Sequence, residues 1–174
     1  MSTPNGFLYI PEFLTPQEQE FLLPQVRELP FDRHSFRGQQ LKRSYAQFGH
    51  EYVTATRKIN PAPTIPAFLR ALIAKATPHY PTGTIFNQCI ATYYPREAGI
   101  GWHTDAPAFG DVIMAVSLGS AARLQFRTSE CTEEIIAAPG SLYVMHGTAR
   151  RDWQHQIVAV KTDRYSLTFR HVPS

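Results

Sequence analysis

Only two cysteines occur in the 174 residues, Cys89 and Cys131, and they form neither a CxxC pair nor a regular spacing. Neither a disulfide framework nor a thiolate metal site is expected. No stretch approaches the roughly 18 uninterrupted apolar residues that a membrane helix needs, and the N-terminus MSTPNGFLYI has no basic segment leading into an apolar one. The expected location is therefore the cytoplasm, with no membrane partner. No repeat, low-complexity tract or linker interrupts the chain, and its length and 43% hydrophobic content suit one compact domain. Nothing requires a dimer, so a monomer is expected. Acid is also missing locally. Residues 33–50 contain Arg33, His34, Arg37, Lys42, Arg43 and His50 without one carboxylate, interleaved with Phe36, Tyr45 and Phe48. Cations attract phosphates and aromatic faces stack on unpaired bases, so this mix suits single-stranded DNA or RNA. It equally suits a solvated surface loop.

The N-terminal third reads as helical and loop-like. Thr15, Pro16 and Glu18 form a capping-box start ahead of Phe21, Leu22, Val26 and Leu29, although Pro24 should kink that helix. A second helix is expected from Pro66, with Phe68, Leu69, Leu72 and Ile73 on one face and a stop before Pro78. From about residue 84 the texture changes to short β-branched and aromatic runs punctuated by Gly and Pro, among them IFNQCIATYY, VIMAVSL, SLYVM and RYSLTFRHV. Some eight strands without intervening helices predict a mostly β (α+β) fold, an antiparallel barrel or double-sheet jelly roll with two helices packed outside it.

Chemistry concentrates in that β region. In His103-Thr104-Asp105, residues two apart on a strand point the same way, about 7 Å apart at the base, so an imidazole and a carboxylate can converge on one ion. Pro107 should end the strand and leave the pair at a rim. A third ligand is needed, and His155 in DWQHQIVAV and His146 in SLYVMHGT are both open as candidates. Two histidines and a carboxylate leave open positions on a metal, as in non-haem Fe(II) oxygenases. In Arg164-Tyr-Ser-Leu-Thr-Phe-Arg170, alternation places Arg164, Ser166, Thr168 and Arg170 on one face and Tyr165, Leu167 and Phe169 on the other. Two inward arginines on a core strand call for an anion. Roughly 20 Å of strand separates them, so each would serve a different end of the ligand.

These motifs together resemble the AlkB family of nucleic-acid oxygenases. YYPREAGIGWHTD, VSLGS, PGSLYVM and WQH followed by RYSLTFR match it in order and spacing over about residues 36–171. The resemblance implies one Fe(II)/2-oxoglutarate dioxygenase domain over residues 1–174, with a jelly-roll core at 84–171 and a substrate lid at about 33–60. Carried over, His103, Asp105 and His155 are the metal ligands. Arg164 meets the distal carboxylate of 2-oxoglutarate with Tyr93 and Ser166 nearby, and Arg170 lies at the iron end. Arg43, Tyr45, Phe48 and Tyr52 become candidate substrate contacts. No catalytic residue is implied beyond the metal and cosubstrate ligands.

The activity so implied couples O2 and 2-oxoglutarate to hydroxylation of a substrate C–H bond, removing N-methyl groups from bases as formaldehyde and leaving succinate and CO2. Two departures stand out. Ala91 occupies the place where the family often carries an Asn two residues before the strand tyrosine. Pro107 stands where repair members carry an acid that reads an exocyclic amine. HTDAPAFGDVIMAVSLGS and KRSYAQFGHEY also resemble relatives acting on transfer-RNA wobble uridine. A protein or small-molecule hydroxylase and a non-catalytic nucleic-acid-binding relative are the other readings.

Overall fold

The computed structural model describes residues 3–174. The elements are β1 (Phe7–Ile10), α1 (Pro16–Arg27), β2 (Asp32–Phe36), β3 (Gln39–Phe48), β4 (His50–Val53), β5 (Lys58–Pro61) and α2 (Ala67–Lys75). After one 3-10 turn follow β6 (Gln88–Tyr94), β7 (Ile100–His103), β8 (Ile113–Leu118), β9 (Ala122–Arg127), β10 (Thr132–Ala137), β11 (Leu142–Met145), α3 (Gly147–Arg151), β12 (Gln154–Ile157) and β13 (Arg164–Arg170). A seven-stranded sheet runs β1-β11-β8-β13-β6-β3-β2 and a four-stranded sheet runs β10-β9-β12-β7, with β4 and β5 forming a separate hairpin. All pairings are antiparallel. This is the expected jelly roll with helices outside it.

Period-2 alternation divides the large sheet into two faces with different work. Cys89, Ala91, Met114, Val116, Leu118, Leu142, Val144, Tyr165, Leu167 and Phe169 point to one side, where they bury against Leu22 and Val26 of α1 and Leu69 and Leu72 of α2. A second cluster, which includes Ile113, Ala115, Leu124, Phe126, Met145 and Ile157, draws on strands of both sheets, and Ile113, Met145 and Ile157 of it also line the space between them. The remainder is a cavity of about 1050 Å³. The sheet is thus anchored by its apolar face and free to present polar groups on the other.

α1 starts as its sequence dictates. The Thr15 hydroxyl accepts from the Glu18 amide at 3.1 Å and Glu18 accepts from the Thr15 amide at 2.8 Å, a reciprocal cap that contributes about 1 kcal/mol. Glu18 also receives Lys75 Nζ at 2.7 Å, tying α1 to α2. The helix continues through Pro24, which is exposed, as is Glu20, whose carbonyl loses its partner there. Phe21, expected on the packed face, is 73% exposed.

The N-terminal third holds the expected helix α1 but is not otherwise loop-like, because β1 to β4 lie there and β5 begins at its end. β3 joins the large sheet through five consecutive residue pairs with β6, from Ser44 opposite Tyr93 to Phe48 opposite Cys89. Its core-facing residues are only Ser44, Ala46 and Phe48, too small and polar a set to announce a strand. Long-range pairing with β6 overrides that weak local propensity. Gly49 then turns the chain into the β4–β5 hairpin with φ of +79°, and a side chain there would collide with the Asn87 carbonyl.

Candidate active site

His103 ends β7 and His155 is the second residue of β12, and the two are direct cross-strand partners. Their rings lie 4.3 Å apart between centroids. His155 is 7% exposed and backed by Phe126. His146, the rival third ligand, caps α3 and does not line the cavity. Asp105 departs from expectation: β7 stops at His103, so Asp105 stands in the following loop rather than on the strand. That loop is held from below by Arg150, a buried residue that sequence reasoning missed. Its guanidinium donates to the carbonyls of Asp105 (3.1 Å), Ala106 (3.0 Å), Phe109 (3.3 Å) and Gly110 (3.3 Å). These carbonyls are satisfied by one side chain where a strand would satisfy them by pairing.

The Nδ1 of His103 contacts the Gly101 carbonyl at 2.7 Å, and a carbonyl only accepts, so Nδ1 carries a proton and Nε2 is the ring nitrogen left to ligate. Asp105 Oδ2 lies 3.6 Å from His155 Nε2, and Oδ1 lies 3.4 Å from Arg170 Nη1. Burial pushes His155 down to about 4, against a smaller upward pull from Asp105, so its imidazole is neutral near pH 7. Burial would raise Asp105, but the fields of His155, Arg170, His103 and Arg150 outweigh it and hold the carboxyl below its ordinary value. The neutral imidazole of His155 and an ionised carboxylate are donor types that Fe(II) takes. Among the described residues no group of three His, Cys, Asp or Glu side chains is spaced to hold a metal ion as it stands.

Arg164 lies at the other end of β13 and is completely buried. Its Nη2 donates to Ser117 Oγ at 2.8 Å, and its guanidinium carbon sits 5.1 Å from the centre of the Tyr94 ring. Nε and Nη1 have no hydrogen-bond partner. Leaving buried donors of a charged group unmade costs several kcal/mol, and a carboxylate in the cavity that Arg164 lines would accept from one of them. The residues present therefore fit a 2-oxoglutarate bound along β13. Ser166 and Thr168 line the cavity between the two arginines, their hydroxyls 3.5 Å apart.

Several expected residues lie elsewhere. Tyr93 stacks on Tyr165 at 5.0 Å on the helix-facing side of the sheet, so it cannot reach the cavity. The tyrosine beside Arg164 is its direct cross-strand partner Tyr94. The Ala91 departure moves with it: Ala91 faces the core, and the residue two before Tyr94 is Thr92, which lines the cavity and is likewise not an Asn. Gln88, Thr92 and Tyr94 share one parity, a signal in the sequence that could have settled this. Phe48 is buried in the core and is not a substrate contact. Arg43, Tyr45 and Tyr52 do line the cavity. Arg43 donates to the Gly99 carbonyl at 3.1 Å, Tyr45 stacks on His34 at 3.9 Å, and Tyr52 meets the Phe109 ring edge at 5.2 Å. Tyr143, also missed, lines the cavity, where burial raises its pKa.

The model of the family described as "2OG-Fe(II) oxygenase superfamily" matches residues 6–170. Among curated proteins, the chain is 27% identical to the uncharacterised protein L905 of Acanthamoeba polyphaga mimivirus, over 97% of the chain and 85% of that protein. It is 28% identical to the tRNA (carboxymethyluridine(34)-5-O)-methyltransferase ALKBH8 of Mus musculus, over 92% of the chain but 25% of the relative. Identity to the alpha-ketoglutarate-dependent dioxygenase alkB homolog 3 of Homo sapiens is 25%, over 93% of the chain and 64% of the relative. The solved structure of OsALKBH1 superposes with a TM-score of 0.79 at 16% identity, covering 98% of both chains. A Pseudomonas putida prolyl-4-hydroxylase superposes at 0.67 and 16% identity, over 97% of this chain and 93% of that one. Both structures share the fold.

Proposed function

Since the chain belongs to the 2OG-Fe(II) oxygenase superfamily, whose dioxygenases use Fe(II), 2-oxoglutarate and O2, we propose that it oxidises alkyl groups on bases of single-stranded DNA or RNA, releasing N-methyl groups as formaldehyde. His103, Asp105 and His155 would hold the metal. Arg164 would take the distal carboxylate of 2-oxoglutarate, with Ser166 and Tyr94 beside it and Arg170 at the metal end. The bound metal and cosubstrate supply the C–H oxidation; the protein binds, orients and excludes water. The observation that carries this reading is Arg164, a buried guanidinium with two unpartnered donors that lines the same cavity as the two histidines and Asp105.

Support for a nucleic-acid substrate comes from the AlkB homologues among the relatives and from the cavity rim, where Arg43 and Arg57 stand with Phe36, Tyr45 and Tyr52. Pro107 favours a second reading. Without an acid there, nothing at that position accepts from an exocyclic amine, which suits a uridine, and one relative's name concerns a transfer-RNA uridine. A monomer working in the cytoplasm completes the proposal, in keeping with two unpaired cysteines. Among the described residues no helix is long and apolar enough to cross a membrane.

The test is succinate formation from 2-oxoglutarate with added Fe(II), followed by mass spectrometry of methylated DNA, methylated RNA and modified-uridine oligonucleotides. Succinate without product from any oligonucleotide would keep the oxygenase and discard nucleic acid as its substrate. No succinate at all would leave a non-catalytic binding protein.

A further inference from the structure

We propose that Gln88 and Gln47 form a hydrogen-bond relay of fixed polarity that sets the orientation of Arg170, and through it Asp105, from the backbone of the β4–β5 hairpin. Both are positioning residues. The proposal rests on the placement of the metal end at Asp105 and Arg170. Gln88 is completely buried and lies opposite Arg170 in the β6–β13 register.

Its polarity follows from donor and acceptor inventory alone. Arg170 has only donors, so the Gln88 atom 2.9 Å from Arg170 Nε is Oε1. Gln88 Nε2 must then donate, and it does so to Gln47 Oε1 at 3.1 Å and to the His50 carbonyl at 3.3 Å. Gln47 Oε1 also accepts the Tyr52 amide at 2.8 Å, while its Nε2 donates to the Tyr52 carbonyl at 3.2 Å. Each carboxamide has one orientation in which every bond is made. The chain ends at Arg170 Nη1 against Asp105 Oδ1, 3.4 Å away.

Neither glutamine is needed to fill space as an amide, and an apolar pair would pack the same volume. The order of bonds instead communicates the position of β4 to the carboxylate next to His155. A hairpin displaced at Tyr52 releases Gln47, then Gln88, then the rotamer of Arg170. Buried networks of this kind are sensitive to a single missing donor.

The polarity makes the two glutamines respond differently to the same exchange. Q47E still accepts from Gln88 and from the Tyr52 amide and loses only the bond to the Tyr52 carbonyl. Q88E cannot donate to Gln47, faces the His50 carbonyl with a carboxylate, and pulls Arg170 toward itself. The experiment titrates 2-oxoglutarate into Mn(II)-loaded protein without turnover for the wild type, Q47E, Q47L and Q88E. It is paired with hydrogen exchange at the Tyr52 amide in metal-free protein. Q47E should bind within about threefold of the wild type, and Q47L and Q88E about tenfold or more weaker. The Tyr52 amide should stay protected in Q47E and exchange faster in the other two. Equal losses in Q47E and Q88E, or wild-type affinity and protection in Q47L, would overturn the relay. Q47L alters a half-buried residue and serves if Q88E does not fold. A wild-type protein that binds no 2-oxoglutarate overturns the site reading instead, and the Tyr52 amide still decides the relay.

Discussion

Arg170 lies face-on over Phe109, its guanidinium carbon 3.7 Å from the ring centre. Phe109 belongs to the loop that carries Asp105, so the ring holds Arg170 on one side while the Asp105 carboxylate meets it on another. A desolvated contact of this type contributes about 1 to 2 kcal/mol. Phe109→Leu keeps the burial and removes the ring, and is expected to weaken 2-oxoglutarate binding about fivefold or more. Isothermal titration checks it, and unchanged affinity would assign Phe109 to packing alone.

Arg150→Lys should be costly although the charge is retained. An ammonium presents three donors at a point and cannot span the four carbonyls that the guanidinium reaches. A loss of about 2 kcal/mol in unfolding free energy is expected, from part-buried carbonyls that lose their donor. Metal affinity should fall with it, because the loop bearing Asp105 loses its support. Denaturant melts and Mn(II) titrations measure the two separately. A variant destabilised but with intact metal affinity would show that the loop holds its shape without the clamp.

Arg164→Met is expected to separate stability from binding in opposite directions. Two donors of Arg164 are buried and unpartnered in the ligand-free protein, so an apolar side chain of similar length should leave its melting temperature equal or higher. The rise that 2-oxoglutarate gives the wild type should vanish in the variant, since stabilisation follows ligand affinity. Thermal melts with and without 2-oxoglutarate read both. A clear drop in the ligand-free melting temperature would mean that Arg164 is structural.

Acid should destabilise the metal-free protein in a window set by His155. Its folded-state value of about 4 lies below the ordinary 6.5, so between those values the unfolded chain holds a proton that the folded chain refuses. Stability is therefore full above about pH 6.5, declines toward pH 4 by up to about 3 kcal/mol, and levels off below. Asp105, also depressed, adds its own loss only in more acidic solution. Urea unfolding at about pH 7 and about pH 5 tests this. His155→Gln should flatten the difference, and an equally steep fall in that variant would place the titrating group elsewhere.

Oligonucleotide binding should depend on the cations that line the cavity and not on those that lie outside it. Arg43 and Arg57 line the cavity whereas exposed Lys42 does not. Arg57→Ala should lower affinity for a single strand and reduce the salt slope by about 0.7, the loss of one phosphate contact, while Lys42→Ala changes neither. Fluorescence anisotropy at several salt concentrations gives the slope. Equal slopes in all three proteins would return residues 33–58 to the solvated-surface reading and bring a protein or small-molecule hydroxylase forward.

The chemistry was more legible than the scaffold around it. The alternation of RYSLTFR identifies which face of β13 holds Arg164 and Arg170, because polar and apolar residues alternate without exception. In TYY the same rule fails locally, since two tyrosines in a row carry no parity and the wrong one was favoured. β3 carries little local signal because its buried face is Ser44, Ala46 and Phe48, and it is pairing with β6, more than 40 residues away, and with β2 that makes it a strand. Arg150 left no pattern at all. Its partners are backbone carbonyls, which every residue has, so a clamp of this kind is written in the fold and not in the identity of what it holds.

The β4–β5 hairpin leaves the large sheet at Gly49, whose amide donates to the Pro63 carbonyl at 2.6 Å and closes the excursion at its neck. Gln47 reads only the main-chain N–H and C=O of Tyr52. Residues 50–62 are thus a transplantable cassette: a hairpin of different sequence but equal length would still offer Gln47 the same two backbone groups. Substrate preference could be exchanged or evolved there while the Gln47 relay is inherited, provided the ring of Tyr52 that meets Phe109 is kept. The boundary for such a graft is Gly49, because any cut upstream of it enters β3 and with it the wall that carries Tyr94.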